Sequence, residues 1–102
     1  MIRFEILLPL YHNDGKLVDP EKFVATDDQL LEVFGAISTD QVVVRGKWTY
    51  KSVIYSDHLF RIRLDTDDTP ENWDAIRNIK ANLKTRFEQL DIWITAHRID
   101  IV

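Results

Sequence analysis

The side chains that could do chemistry in this 102-residue chain are three histidines, a set of cations in alternating segments and short runs of aspartate. There is no cysteine, which excludes a disulfide frame, a thiolate metal site and a cysteine nucleophile. His12 stands beside Tyr11 and close to Asp14, His58 follows Asp57, and His97 falls late in the last apolar segment. No HxH, HxxxH or HExxH spacing joins them, so no metal site is expected. Ser56-Asp57-His58 holds the residue types of a hydrolytic triad. Neighbours on a strand point to opposite faces, however, which is the wrong geometry. Asp65, Asp67 and Asp68 lack the glycine and terminal glutamate of a helix-loop-helix calcium site and read as a solvated, helix-capping loop. Gly15, Gly35 and Gly46 are isolated, so no phosphate-cradling loop exists and no cofactor is expected.

Two constellations remain. Alternation places Arg3, Arg45, Lys47, Arg61 and Arg63 on one sheet face, against Glu5 and Asp65. Such a face would bind a small anion or an acidic protein, unless its charges pair across strands. Tyr11, His12, Trp48 and Tyr55 could instead wall a pocket, with His12 as acid or base of a small cofactor-free enzyme and Tyr11 beside it. The alternative there is a buried Trp48 with tyrosine hydroxyls at the rim of the core. A third use of the sheet face is self-association through Leu7, Val43, Leu59 and Trp93, giving a homodimer.

The elements that must position these groups follow from periodicity. Residues 69 to 90 carry Trp73, Ile76, Ile79, Leu83, Phe87 and Leu90 on one helix face, with Thr69 as cap and Pro70 at the first helical position. Ile2, Phe4, Ile6 and Leu8 alternate with Arg3, Glu5 and Leu7, the pattern of a half-buried first strand ending at Pro9. Asn13-Asp14-Gly15 is turn chemistry. Asp19-Pro20-Glu21 reads as a single capped turn. Thr26 with Gln29 reads as the capping box of a separate short helix ending at Gly35. Residues 41 to 50 form a second strand with Val42, Val44, Gly46, Trp48 and Tyr50 on one face. Lys51-Ser52 turns the chain. The return strand is interrupted near Ser56-Asp57-His58 and then points Phe60, Ile62 and Leu64 inward. Asp91 to Ile101 is the last strand, with Trp93, Thr95 and His97 away from the helices and a bulge or solvated tail near its end.

Strand, helix, strand, strand, helix, strand is the order of a ferredoxin-like α+β domain, βαββαβ. It implies a four-stranded antiparallel sheet in the order 4-1-3-2 with both helices on one face, one domain over residues 1–102.

FEILLPLY followed by NDG, a short helix ending in VFG, RGKWTY, the TPEN-started helix and KTRF near its end resemble a group of small bacterial ferredoxin-like proteins of unknown function. Some relatives in that group are secreted lipoproteins. The resemblance spans nearly the whole chain and implies a fold rather than an activity. This chain departs from it by lacking a lipoprotein signal and by using Lys51-Ser52 where a glycine-bearing turn is the pattern.

Net charge is −4, with 45 % hydrophobic and 29 % charged residues. That balance argues against nucleic acid, as does Glu5 with Arg61 or Arg63 where RNA-recognition sheets carry rings. No stretch has the length of a membrane span, and Glu5 and Pro9 break the apolar opening, which reads as a strand rather than a signal peptide. The cytoplasm is the expected compartment. The sequence therefore favours a non-enzymatic binding module, dimeric through its sheet face.

Overall fold

The computed structural model describes the backbone of residues 1–102 and every side chain except those of residues 41–45 and 55–57. In chain order it contains β1 (Ile2–Pro9), α1 (Pro20–Phe34), β2 (Ser38–Tyr50), β3 (Val53–Thr66), α2 (Pro70–Arg86) and β4 (Trp93–Arg98). The strands form one sheet in the order β2-β3-β1-β4, every pair antiparallel, which is the expected ferredoxin-like arrangement.

The inward face of β1 supplies Ile2, Phe4, Ile6 and Leu8, all buried, and β3 adds Ile62 and Leu64. Leu30 of α1 and Ile76, Ile79 and Leu83 of α2 close over them. Aromatic rings fill the gaps edge to face. Phe4 meets Trp73 at 5.1 Å, and Phe23 meets Phe87 at 5.2 Å and Phe60 at 5.7 Å. Such pairs contribute about 0.5–1.5 kcal/mol beyond their burial.

The long helix starts as its sequence requires. The Thr69 hydroxyl accepts from Asn72 N at 3.2 Å, and Pro70 needs no donor partner there. Its end falls earlier than the apolar stripe suggests. Phe87 caps it, Glu88 turns left-handed at φ 54°, and Gln89 N donates back to Lys84 O at 3.0 Å. This is a Schellman closure with glutamate where glycine is usual. Leu90 therefore lies outside the helix and is exposed rather than part of the core.

The first helix is longer than expected. Asp19 and Pro20 do not cap a lone turn: they open a single 15-residue helix, with Asp19 Oδ1 accepting from Glu21 N. Thr26 is not a cap but a fully buried interior residue, because its hydroxyl is satisfied within the helix by donating to Lys22 O at 2.8 Å. Arg86 of α2 donates to Thr26 Oγ1 at 2.8 Å and to Gln29 Oε1 at 2.9 Å. The two residues that resemble a capping box instead receive a guanidinium that ties the helices together. Gly35 does end the helix, at φ 80°.

β3 runs unbroken through positions 56 to 58, so the expected interruption there is absent. Its pairing with β1 stops at Pro9 and Leu59, yet its pairing with β2 continues to Tyr50 and Val53. The outer part of β2 and β3 is thus a two-stranded ribbon reaching past the rest of the sheet. Ile54, Val53 and Tyr50 are exposed on it, Ile54 at 71 %. β4 is shorter than expected and pairs with β1 without a bulge; residues 99–102 follow it outside any strand.

The faces of β2 are exchanged relative to the sequence expectation. Positions 43 and 60 are partners, as are 45 and 58, whereas Asp40 pairs with Arg61, Val44 with Leu59 and Trp48 with Tyr55. Phe60 points to the core and Arg61 away from it. Position 45 therefore has the parity of the helix side, and Trp48 that of the open side. The cause is the ribbon: beyond Leu59 β1 no longer pairs with β3, and Lys47, which has the parity of the helix side, is exposed there.

The ribbon turn places Lys51 at φ 49° and Ser52 at φ 66°, the two left-handed positions of a tight hairpin. Asn at 51 and Gly at 52 fit these angles without strain. The double substitution is expected to stabilise the protein by about 1 kcal/mol, read as a higher thermal midpoint; a lower midpoint would contradict this turn geometry.

Candidate functional site

The sheet face opposite the helices is divided in two. Near the start of β1 its rows are ionic. Across the sheet, His97, Arg3 and Asp65 form one row, and Thr95, Glu5, Arg63 and Ser38 the next. Arg3 grips Asp65 with two bonds, Nε to Oδ1 at 2.8 Å and Nη2 to Oδ2 at 3.0 Å. Asp40, brought over from β2, accepts from Arg61 Nε at 2.9 Å and from Arg63 Nη2 at 3.3 Å. Glu5 lies 3.7 Å from His97.

Toward the ribbon the same face turns apolar. Leu7, Pro9, Trp48, Leu59, Ile92 and Trp93 line most of a groove of about 480 Å³, to which Lys47 and Gln89 also contribute. Trp93 is 64 % exposed. Gly46 lets Leu59 lie close to the β2 backbone, since a Cβ there would stand 3.3 Å from Leu59 Cδ1. The neighbour that explains this glycine is an aliphatic side chain. Asp91 closes the groove at one end and is held by Lys80 Nζ at 3.1 Å.

The five cations expected on one face are not brought together. Arg3, Arg61 and Arg63 share it, each engaged by a carboxylate. The Arg45 side chain lies outside the described residues, and the backbone register gives positions 45 and 47 the opposite parity. Of the apolar set, Leu7, Leu59 and Trp93 do share the open face; Val43, whose side chain is also undescribed, has the parity of Phe60.

Of the residues expected to wall a pocket, the described ones, Tyr11, His12 and Trp48, do not line a common cavity. Tyr11 stacks edge-on with His58 at 6.0 Å. His12 Nδ1 is buried, 3.2 Å from Glu88 Oε2 at the end of α2 without hydrogen-bond alignment. Lys22 Nζ approaches the same carboxylate at 3.6 Å. Trp48 instead belongs to the sheet groove, and it is not the core residue of the alternative expectation. The Tyr55 side chain is outside the described residues. The sheet groove and the two smaller clefts, one at Arg3 and Arg63 and the other at Trp73 and Ile94, are lined by neither Tyr11 nor His12. Among the described residues no three histidine, aspartate or glutamate side chains group to hold a metal ion.

No family model matches the chain, and no curated protein matches it. Solved structures do. A phage SAM lyase in its apo state superposes with TM-score 0.70 at 13 % identity, covering 94 % of this chain and 78 % of that one. The divalent cation tolerance protein CutA1 of Thermus thermophilus gives 0.65 at 13 %, covering 100 % and 87 %. The periplasmic divalent cation tolerance protein CutA of Archaeoglobus fulgidus gives 0.64 at 14 %, again covering 100 % and 87 %. At such identities the likeness is one of fold. The resemblance to small ferredoxin-like proteins holds at that level, and the matching structures are named proteins rather than a group of unknown function. The expected cytoplasmic location does not stand, because the Archaeoglobus fulgidus protein of this fold is periplasmic. Freedom from cysteine carries no compartment signal that would outweigh it.

The ionic rows have a pH signature. The hydrogen bond from Arg3 holds the Asp65 carboxyl below the usual carboxylate range. A depressed folded pKa adds stability above the ordinary carboxylate value, and that stability is lost as pH falls through the folded value. Acid titration of thermal stability is expected to be less steep below about pH 4 in Arg3→Gln than in the parent. Equal slopes would contradict the pairing.

Proposed function

We propose that this protein is a non-enzymatic binding module that works as a homo-oligomer, joined through the open face of its sheet. The observation that carries the proposal is the largely apolar groove on the sheet face opposite the helices, where Trp93 is 64 % exposed. Covering the exposed part of Trp93 alone is worth about 3 kcal/mol.

The occupant is a second copy of this chain. The charged residues lining the groove are Lys47 and Asp91, of opposite sign, so the groove offers an acidic partner no net positive charge. A self-contact needs no such excess. The chain also supplies matching apolar surface in Val53 and Ile54 at the ribbon tip, 51 % and 71 % exposed. Pairing a groove on one copy with a tip on another is a heterologous contact, which closes into a ring when the rotation allows. The non-enzymatic part of the proposal is supported by the groove lining. Its carboxylate, Asp91, is occupied by Lys80, and His12 and Tyr11 lie elsewhere.

Light scattering on the parent chain is expected to give at least twice the single-chain mass. Trp93→Glu is expected to reduce it to the single chain while the far-ultraviolet spectrum stays unchanged. A parent that runs as a single chain, or a Trp93→Glu variant that assembles as before, would overturn the proposal.

A further inference from the structure

We infer that a compact oxyanion binds in the cleft between Arg3, Arg63 and Ser38, at the end of the sheet away from the groove. The cleft has a volume of about 130 Å³ and is lined by Arg3, Ser38, Arg63 and Asp65, with Ala36, Ile37 and Leu64 behind them. It is therefore polar in front and apolar behind.

The charges beside it are unequally matched. Arg3 and Asp65 take each other in a two-bond pair. Arg61 takes Asp40 closely, Nη2 to Oδ2 at 2.8 Å. Arg63 has only the far side of that same carboxylate, at 3.3 Å. Among the described residues no other ion pair reaches Arg63. Glu5, its partner across the β1–β3 ladder, is turned to His97 at 3.7 Å.

Arg63 Nε is also buried without an acceptor. The Arg63 side chain as a whole is one third exposed, and a rotation within the cleft brings this N–H to an incoming oxygen, the acceptor that the chain itself does not supply. The missing group must accept rather than donate, because every guanidinium hydrogen is a donor. It must be small, since the cleft is. Negative charge suits the surplus of Arg63, and the exposed Ser38 opposite it in the register offers a hydroxyl for a second oxygen. Phosphate and carboxylate share this chemistry. Asp65 in the lining sets a limit on charge: its pairing with Arg3 has to persist for the anion to enter.

None of the residues lining this cleft lines the apolar groove, so the inference stands apart from self-association. The test is nuclear magnetic resonance titration with inorganic phosphate and, separately, acetate, at ionic strength held constant with chloride. The Arg63 Nε–H and Ser38 amide signals are expected to shift and saturate with one of the two anions, which also identifies the chemistry. Arg63→Gln is expected to weaken binding about tenfold or more, the loss of one charge-assisted hydrogen bond. Arg61→Gln frees Asp40 for Arg63 and is expected to weaken it as well. Shifts that rise linearly with either anion, or saturation equally tight in Arg63→Gln, would overturn the inference. A folded Arg63→Gln spectrum makes its loss of binding interpretable, and Arg61→Gln provides the second arm should it unfold.

Discussion

The pairing of β3 with both β1 and β2 is the constraint on which the rest of this protein depends. A strand residue and its cross-strand partner point to the same face. Once Phe60 and Ile62 enter the core, Leu59, Arg61 and Arg63 must leave it, and their partners leave with them. The open face is therefore composed by register. Leu7 meets Arg61, Glu5 meets Arg63 and Arg3 meets Asp65, while β2 contributes Asp40, Gly46 and Trp48. The division of that face into an ionic end and an apolar groove follows from these pairings.

Much of this was legible in the residues. The alternation of β1, the Thr69-Pro70 start of α2 and the left-handed Gly35 each carry a local signal that tertiary packing does not override. Their agreement gave the element order and the sheet order. The errors have a common cause, in that a local signal was outweighed by something distant. Thr26 and Gln29 resemble a cap, but Arg86, far away in sequence, uses both as acceptors inside one continuous helix. Leu90 continues the apolar stripe, but the helix has already closed at Phe87.

The faces of β2 were the costlier error. Valines occupy consecutive positions from 42 to 44, so alternation there is ambiguous, and the register shift between Asp40 and Val43 carries no sequence mark. Alternation also treats the helix side as covered along the whole strand, whereas beyond Leu59 β1 no longer pairs with β3. A clue was present in Gly46, two residues from Trp48: a glycine inside a strand marks a place where another group comes close to the backbone, here the Leu59 side chain. The ion pairs were partly visible, since Glu5 and Asp65 face the arginines in sequence. Asp40 as their partner was not, because it enters the face only through the register shift.

The placement of Trp48 decides between the two compositions of the open face, and solution nuclear magnetic resonance reads it directly. The account predicts nuclear Overhauser contacts from the Trp48 indole to the methyls of Leu59, whose side chain lies over Gly46. Contacts from that indole to Phe60 or Ile62, with none to Leu59, would contradict it and return Arg45 and Arg61 to a single face.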